Sequence, residues 1–122
     1  MDDARRFLPL TPQQFHILLA LTDGDRHGYG IIQDVAGRTG GAVRLGTGTL
    51  YTALARLDTL ALVEASPRRP KADDDERRRY YRLTTLGHAV LQAETARLDA
   101  LVRHARQKGI QPSGRPAWSR SR

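Results

Sequence analysis

Thr47, Thr49, Tyr51, Thr52 and Arg56 bring hydroxyl, phenol and guanidinium groups together within ten residues. Groups of this kind donate hydrogen bonds to phosphate oxygens and base edges in a DNA groove. Leu50, Leu54, Leu57 and Leu60, with Ala53 and Ala61, recur between them at helical spacing and predict a buried stripe. The polar residues then fall on the opposite side of one helix, predicted over 47–60. Gly46 and Gly48 supply a turn at its start. The amides of Gly48 and Thr49 would attract a phosphate through the helix dipole. Tyr51 reads in two ways, as a core tyrosine with its hydroxyl at the rim or as a phosphate donor. The threonines likewise read as a cap and solvated positions or as DNA contacts, with Thr52 and Arg56 as the base readers.

A second polar cluster follows. Arg68, Arg69, Arg77 and Arg78 flank a turn-rich loop, and the run Asp73-Asp74-Asp75-Glu76 sits among them and partly neutralises them. Val63 and Ala65 alternate with Glu64 and Ser66, the pattern of a half-buried strand. Beyond the loop, Tyr81 and Leu83 alternate with Tyr80 and Arg82. The expected arrangement is a two-stranded hairpin, a wing over 66–80, with Tyr81 and Leu83 inward. Tyr80 and Arg82 would face outward, Tyr80 toward DNA.

The elements that must hold these clusters are short. Thr11-Pro12 predicts a helix start, with Thr as cap and Pro at the first helical position. Phe15, Leu18 and Leu19 give its apolar face, and Asp23-Gly24 ends it. His27-Gly28-Tyr29-Gly30 turns into a second helix over about 29–38, buried through Ile31, Ile32 and Val35 and closed by Gly40-Gly41. Val43 and Leu45 suggest a short strand. Thr84 is a candidate cap for a last helix over about 85–108, stopped by Gly109 and Pro112. Leu86, Val90 and Ala93 form one stripe on it, for the chain's own core. Leu91, Leu98, Leu101, Val102 and Ala105 form a second, for which a monomer has no use. The second stripe predicts a homodimer, with Phe15 of the first helix at the same interface.

Composition narrows the class of partner. The 122 residues carry 20 basic and 13 acidic side chains, a net charge of +7. Residues 1–45 are neutral, with five of each sign, whereas 46–110 carry twelve basic and eight acidic groups. The excess therefore lies with the polar helix, the loop and the tail, as for a phosphate-binding surface. The tail over 109–122 is rich in Gly, Pro, Ser and Arg, reads as disordered, and either adds phosphate contacts or has no role. Cysteine is absent, so disulfides and thiolate metal sites are excluded. His16, His27, His88 and His104 are scattered, without the pairing that holds a metal. No Walker loop and no nucleophile triad appear, so no enzyme, metal or cofactor is expected. No apolar run approaches the roughly 18 residues of a membrane span, and the first residues lack the core of a secretory signal. The expected location is cytoplasmic. The fold class is mainly α with a small β-hairpin, a winged helix-turn-helix over 8–84 followed by a long C-terminal dimerisation helix.

Three motifs within this order resemble a known family. Gly48-Thr-Leu-Tyr-Thr-Ala-Leu-Ala-Arg-Leu57 resembles the GTLYxxLxRL signature of the PadR family of bacterial transcriptional regulators. Arg79-Tyr-Tyr-Arg-Leu-Thr-Thr-Leu-Gly87 is similar to that family's wing-to-helix segment, and His27-Gly28-Tyr29 to the start of its second helix. The resemblance spans about residues 8–105. It implies a homodimeric winged-helix repressor of the compact type, which ends after one long helix. Some compact members bind flat cationic or phenolic compounds at the dimer interface and release DNA. This final helix lacks the Trp that sandwiches such ligands, and Trp118 stands in the tail. A small-molecule effector is thus a possible partner beside double-stranded DNA. The alternative reading is a winged helix that binds an acidic protein and has only nonspecific DNA affinity.

Overall fold

Thr11 opens the first helix with a reciprocal cap. Its hydroxyl accepts from the Gln14 amide at 3.0 Å, and the Gln14 side chain accepts from the Thr11 amide at 3.0 Å. Two of the amides that a helix start leaves unpaired are thereby satisfied. The computed structural model describes residues 3–67 and 79–111. A 3-10 helix (Asp3–Phe7) leads into α1 (Pro12–Ala20), β1 (Arg26–His27), α2 (Gly28–Arg38) and α3 (Thr47–Thr59). Then come β2 (Val63–Ala65), β3 (Tyr80–Leu83) and α4 (Thr85–Gln107).

One core joins all four α-helices. Ile17 and Leu18 of α1, Ile31 and Val35 of α2 and Leu50, Leu54 and Leu57 of α3 are buried together with Leu62, Val63 and Val90. The predicted stripe of α3 is therefore the buried one, but it ends at the half-buried Leu60. Ala61 is exposed because the chain turns there through a φ of 64°. Between α2 and α3, the buried Thr39 hydroxyl donates to Val35 O at 2.9 Å and accepts from the Val43 amide at 3.0 Å. Gly40 and Gly41, at φ 59° and 86°, complete that turn, where only glycine is free of a Cβ clash. Val43 and Leu45 form no strand: the Val43 amide is taken by the Thr39 hydroxyl, and no strand pairs with either residue among the described residues.

The sheet corrects the expected hairpin. Its order is β1-β3-β2, all antiparallel, so the two-residue β1 adds a third strand on the outer side of β3. Arg26 pairs with Tyr81 and His27 with Tyr80. Tyr80 is consequently only 5% exposed, with the His27 ring edge-on to it at 5.2 Å. It does not face outward as expected, because the His27 side chain of the paired β1 packs against its ring. Tyr81 and Leu83 do pack against the core, and Arg82 is exposed.

α4 begins on Thr84, whose hydroxyl accepts from the Gly87 amide at 2.9 Å and donates to Ala61 O at 2.6 Å. Gly87 rests directly on the Leu62 carbonyl group. Two turns on, the buried Glu94 carboxylate accepts from the Leu10 amide at 3.2 Å and from Arg97 at 2.6 and 2.8 Å. These bonds hold its proton affinity below the ordinary carboxylate range, Arg97 being the main cause. Leu91 is 5% exposed and belongs to the chain's own core, a correction to its place in the second stripe. The first half of α4 is consumed by intramolecular packing. Leu98, Leu101 and Val102, at 37%, 50% and 46% exposure, have no such cover, and Ala105 is half-buried. Phe15 is half-buried and packs against the core. Among the described residues no helix is long and apolar enough to cross a membrane, and no cluster of three His, Cys, Asp or Glu could hold a metal ion.

Candidate nucleic-acid interface

Burial of Leu50, Leu54 and Leu57 turns the other side of α3 outward. Thr47, Gly48, Thr49, Tyr51, Thr52 and Arg56 are all exposed, as the periodicity predicts. Gly46, the cap of α3, has no side chain to bond the first amides. The helix therefore presents open N–H groups beside three threonine hydroxyls, a combination that suits phosphate oxygens. Arg56 has no carboxylate partner among the described residues.

Tyr51 lies partly against α2 and partly in the open. It is 44% exposed, yet its ring lies against Gly28 at the first position of α2. A Cβ on Gly28 would stand 2.7 Å from Tyr51 Cζ. The glycine thus lets the phenol lie across the start of α2, with its hydroxyl oxygen the atom nearest the place a Cβ would take. His27 orders the same corner by accepting from the Gly30 amide through Nδ1 at 3.0 Å. Tyr81 is a further neighbour, and burial, with the Tyr51 phenol close by, raises its proton affinity above the ordinary 10.0.

The wing is represented by its base. β2 and β3 pair through Val63–Leu83, Glu64–Arg82 and Ala65–Tyr81, and the Ser66 amide donates to Tyr80 O at 2.8 Å. Arg82 is tied to Glu64 at 2.8 Å, an exposed pair in which the two charges offset one another. Ser66 Oγ donates to Asp25 Oδ2, which fixes the β2 end to the α1–β1 loop. Arg68, Arg69, Arg77 and Arg78, the acidic run Asp73–Glu76 and the tail from 112 to 122 lie outside the described residues. Arg79, at the last described position before β3, is exposed.

One part of this surface escaped the sequence reading. A groove of about 630 Å³ opens between the first turn of α1 and the outer face of α3. Thr11, Gln13 and Gln14 line one side, and Gly48, Thr49, Thr52, Ala53 and Arg56 the other. No periodicity in either helix announces this juxtaposition. It follows from how both pack on the shared core.

Comparison with known proteins agrees with this geometry. The pattern of the Transcriptional regulator PadR-like family matches residues 17–93. An uncharacterised protein X of Lysinibacillus sphaericus is 36% identical over 75 residues, covering 62% of this chain and 67% of that one. An uncharacterised 37.1 kDa protein in transposon TN4556 of Streptomyces fradiae is 41% identical over 95 residues. That stretch covers 73% of this chain but only 24% of the Streptomyces protein. The structure is similar, with a TM-score of 0.68 and 25% identity, to a PadR family transcription regulator from Clostridium difficile R20291. The overlap covers 82% of this chain and all of that one. With its winged-helix fold and a family pattern running from α1 into α4, the chain belongs to the PadR-like family of transcriptional regulators and is a DNA-binding regulator.

Proposed function

We propose that the protein is a homodimeric repressor that reads an inverted-repeat operator, with α3 in the major groove and the wing beside it. The observation that carries this is the division of α3 into a buried leucine stripe and an exposed face of threonines, Tyr51 and Arg56. On this reading Thr52 and Arg56 meet base edges, while Thr47, Gly48, Thr49 and Tyr51 hold the phosphate backbone. Arg68, Arg69, Arg77 and Arg78 contribute from the wing, whereas the buried Tyr80 supports the sheet instead of touching DNA. Residues 8–84 act as the reading unit and 85–108 as the dimerisation helix.

Leu98, Leu101, Val102 and Ala105 of α4, with Phe15, supply the dimer interface, since three of these α4 side chains are large and exposed. Two copies related by a two-fold axis would place their α3 helices in successive major grooves, about 34–36 Å apart. An effector that binds one spacing of the two heads better than another would shift the population and the DNA affinity with it.

The test is fluorescence anisotropy on the DNA upstream of the protein's own gene, against a scrambled duplex, at two salt concentrations. Tight, salt-dependent binding with preference for the upstream duplex is expected, with Arg56→Ala relaxing that preference by about tenfold. Equal, weak binding to both duplexes would put a protein-interaction module in its place.

A further inference from the structure

The groove between α1 and α3 extends the reading surface onto an element outside the helix-turn-helix pair. It is lined by hydroxyl and amide side chains, and among the described residues that line it Arg56 is the one charged group. Thr49, Thr52 and Arg56 belong at once to this groove and to the exposed face of α3. Whatever lies along that face therefore passes the mouth of the groove.

The residues facing α3 across it are not equivalent. Gln14, half-buried, and Thr11 are held in place by the cap, in which the carboxamide oxygen of one and the hydroxyl oxygen of the other accept from backbone amides, although their own N–H and O–H donors stay open. Gln13 is different. It is exposed, and its side chain makes no hydrogen bond among the described residues. Its carboxamide therefore has two N–H donors uncommitted at the rim of a surface that bears a positive charge and no acid.

From this continuity and charge we infer that the groove seats one sugar–phosphate strand of the duplex that α3 reads, and that Gln13 donates to its backbone. The inference rests on the DNA-reading role of α3 proposed above. The first turn of α1 then works as a positioning element. Gln13 fixes the depth and angle at which α3 lies in the major groove and carries no base preference of its own, because phosphate contacts set register without sequence information. The capping box has a use on this account, since it keeps the first turn of α1 from fraying at the edge of the groove.

Three variants at one exposed position test it: Gln13→Ala, Gln13→Glu and Gln13→Arg, beside Arg56→Ala. Anisotropy is read on the upstream and scrambled duplexes at about 50 and 200 mM salt, with thermal melts confirming the fold. Gln13→Ala is expected to weaken binding about three- to tenfold, by a similar factor on both duplexes. Gln13→Glu should weaken it about tenfold or more, and Gln13→Arg should strengthen it and steepen the salt slope by about one. Unchanged affinity and slope in all three, with Arg56→Ala still impaired, would overturn the role of α1 and leave the reading of α3 intact. If Arg56→Ala and the wild type are alike on both duplexes, the DNA-reading role of α3 fails and this inference falls with it.

Discussion

The phenol of Tyr51 lies across Gly28, close enough that a methyl group on the glycine would overlap it. A residue of α3 is thus positioned by the absence of a side chain on α2. Gly28→Ala forces the ring aside and also presses on Leu50 Cδ2, which would stand 3.2 Å from the new Cβ. DNA affinity is expected to fall by about tenfold, the worth of one hydrogen bond to a charged group. The cost in stability should stay near 1 kcal/mol, because alanine is the better helix former and a ring tip yields easily. Tyr51→Phe, which removes only the hydroxyl, should show the same affinity loss in anisotropy with an unchanged melt.

Gly87 presents the opposite case. A Cβ there meets the Leu62 backbone, with the carbonyl carbon at 3.0 Å and Leu83 Cδ1 also at 3.0 Å. Backbone at a strand start cannot step aside as a ring tip does. Gly87→Ala should therefore cost about 3 kcal/mol, read as a drop in the urea midpoint at constant slope. An unchanged midpoint would show that α4 can tilt freely about Thr84.

Glu94 should make stability fall in acid. Its proton affinity is lower in the folded chain than the ordinary carboxylate value of 4.5, so the unfolded state binds the proton first. The contribution is complete above that ordinary value and fades as pH drops through the lower folded one. Glu94→Gln is expected to cost about 1–3 kcal/mol at neutral pH, as buried hydrogen-bond partners of Arg97 and Leu10 are lost or weakened. Urea titrations of wild type and variant should converge as the pH is taken well below 4.5. A gap that stays constant with pH would remove the carboxylate charge from the account.

The exposed end of α4 gives a prediction about assembly. Leu98→Glu with Leu101→Glu places two charges on the uncovered stripe. Sedimentation should then report the mass of one chain in place of two. Binding to a duplex with both half-sites should weaken by about a hundredfold or more as the two heads lose their linkage. The melting temperature of the isolated head should be little affected, because neither leucine belongs to the buried core.

The sequence foretells those parts of the fold whose signals are local. The leucine stripe of α3, the Thr11 and Thr84 caps and the exposed threonines each depend on residues three or four apart, and helix periodicity reports that spacing. Facing in β3 depends instead on a strand far away in sequence. β1 is two residues long, with no pattern of its own, and only its pairing with Tyr80 and Tyr81 reveals that Tyr80 is covered. Leu91 is a similar case. Heptad spacing groups it with Leu98, but its surroundings are set by α1 and by the Leu10–Glu94 bond that draws the N-terminal segment onto α4. Gln13 gave no signal at all, because a groove between two helices belongs to neither helix's sequence.

The Glu94 bond also divides α4 mechanically. Up to Arg97 the helix is bolted to the head, and from Arg97 to Gln107 it runs on as a beam about 15 Å long at 1.5 Å per residue. A tilt of about 13° at the bolt swings the far end by about 3.4 Å, the rise of one base pair. If the far end is where a second copy grips, the gauge of the operator is set at Glu94, Arg97 and Leu10. Loosening that joint would let one protein fit half-sites a base pair closer or farther apart.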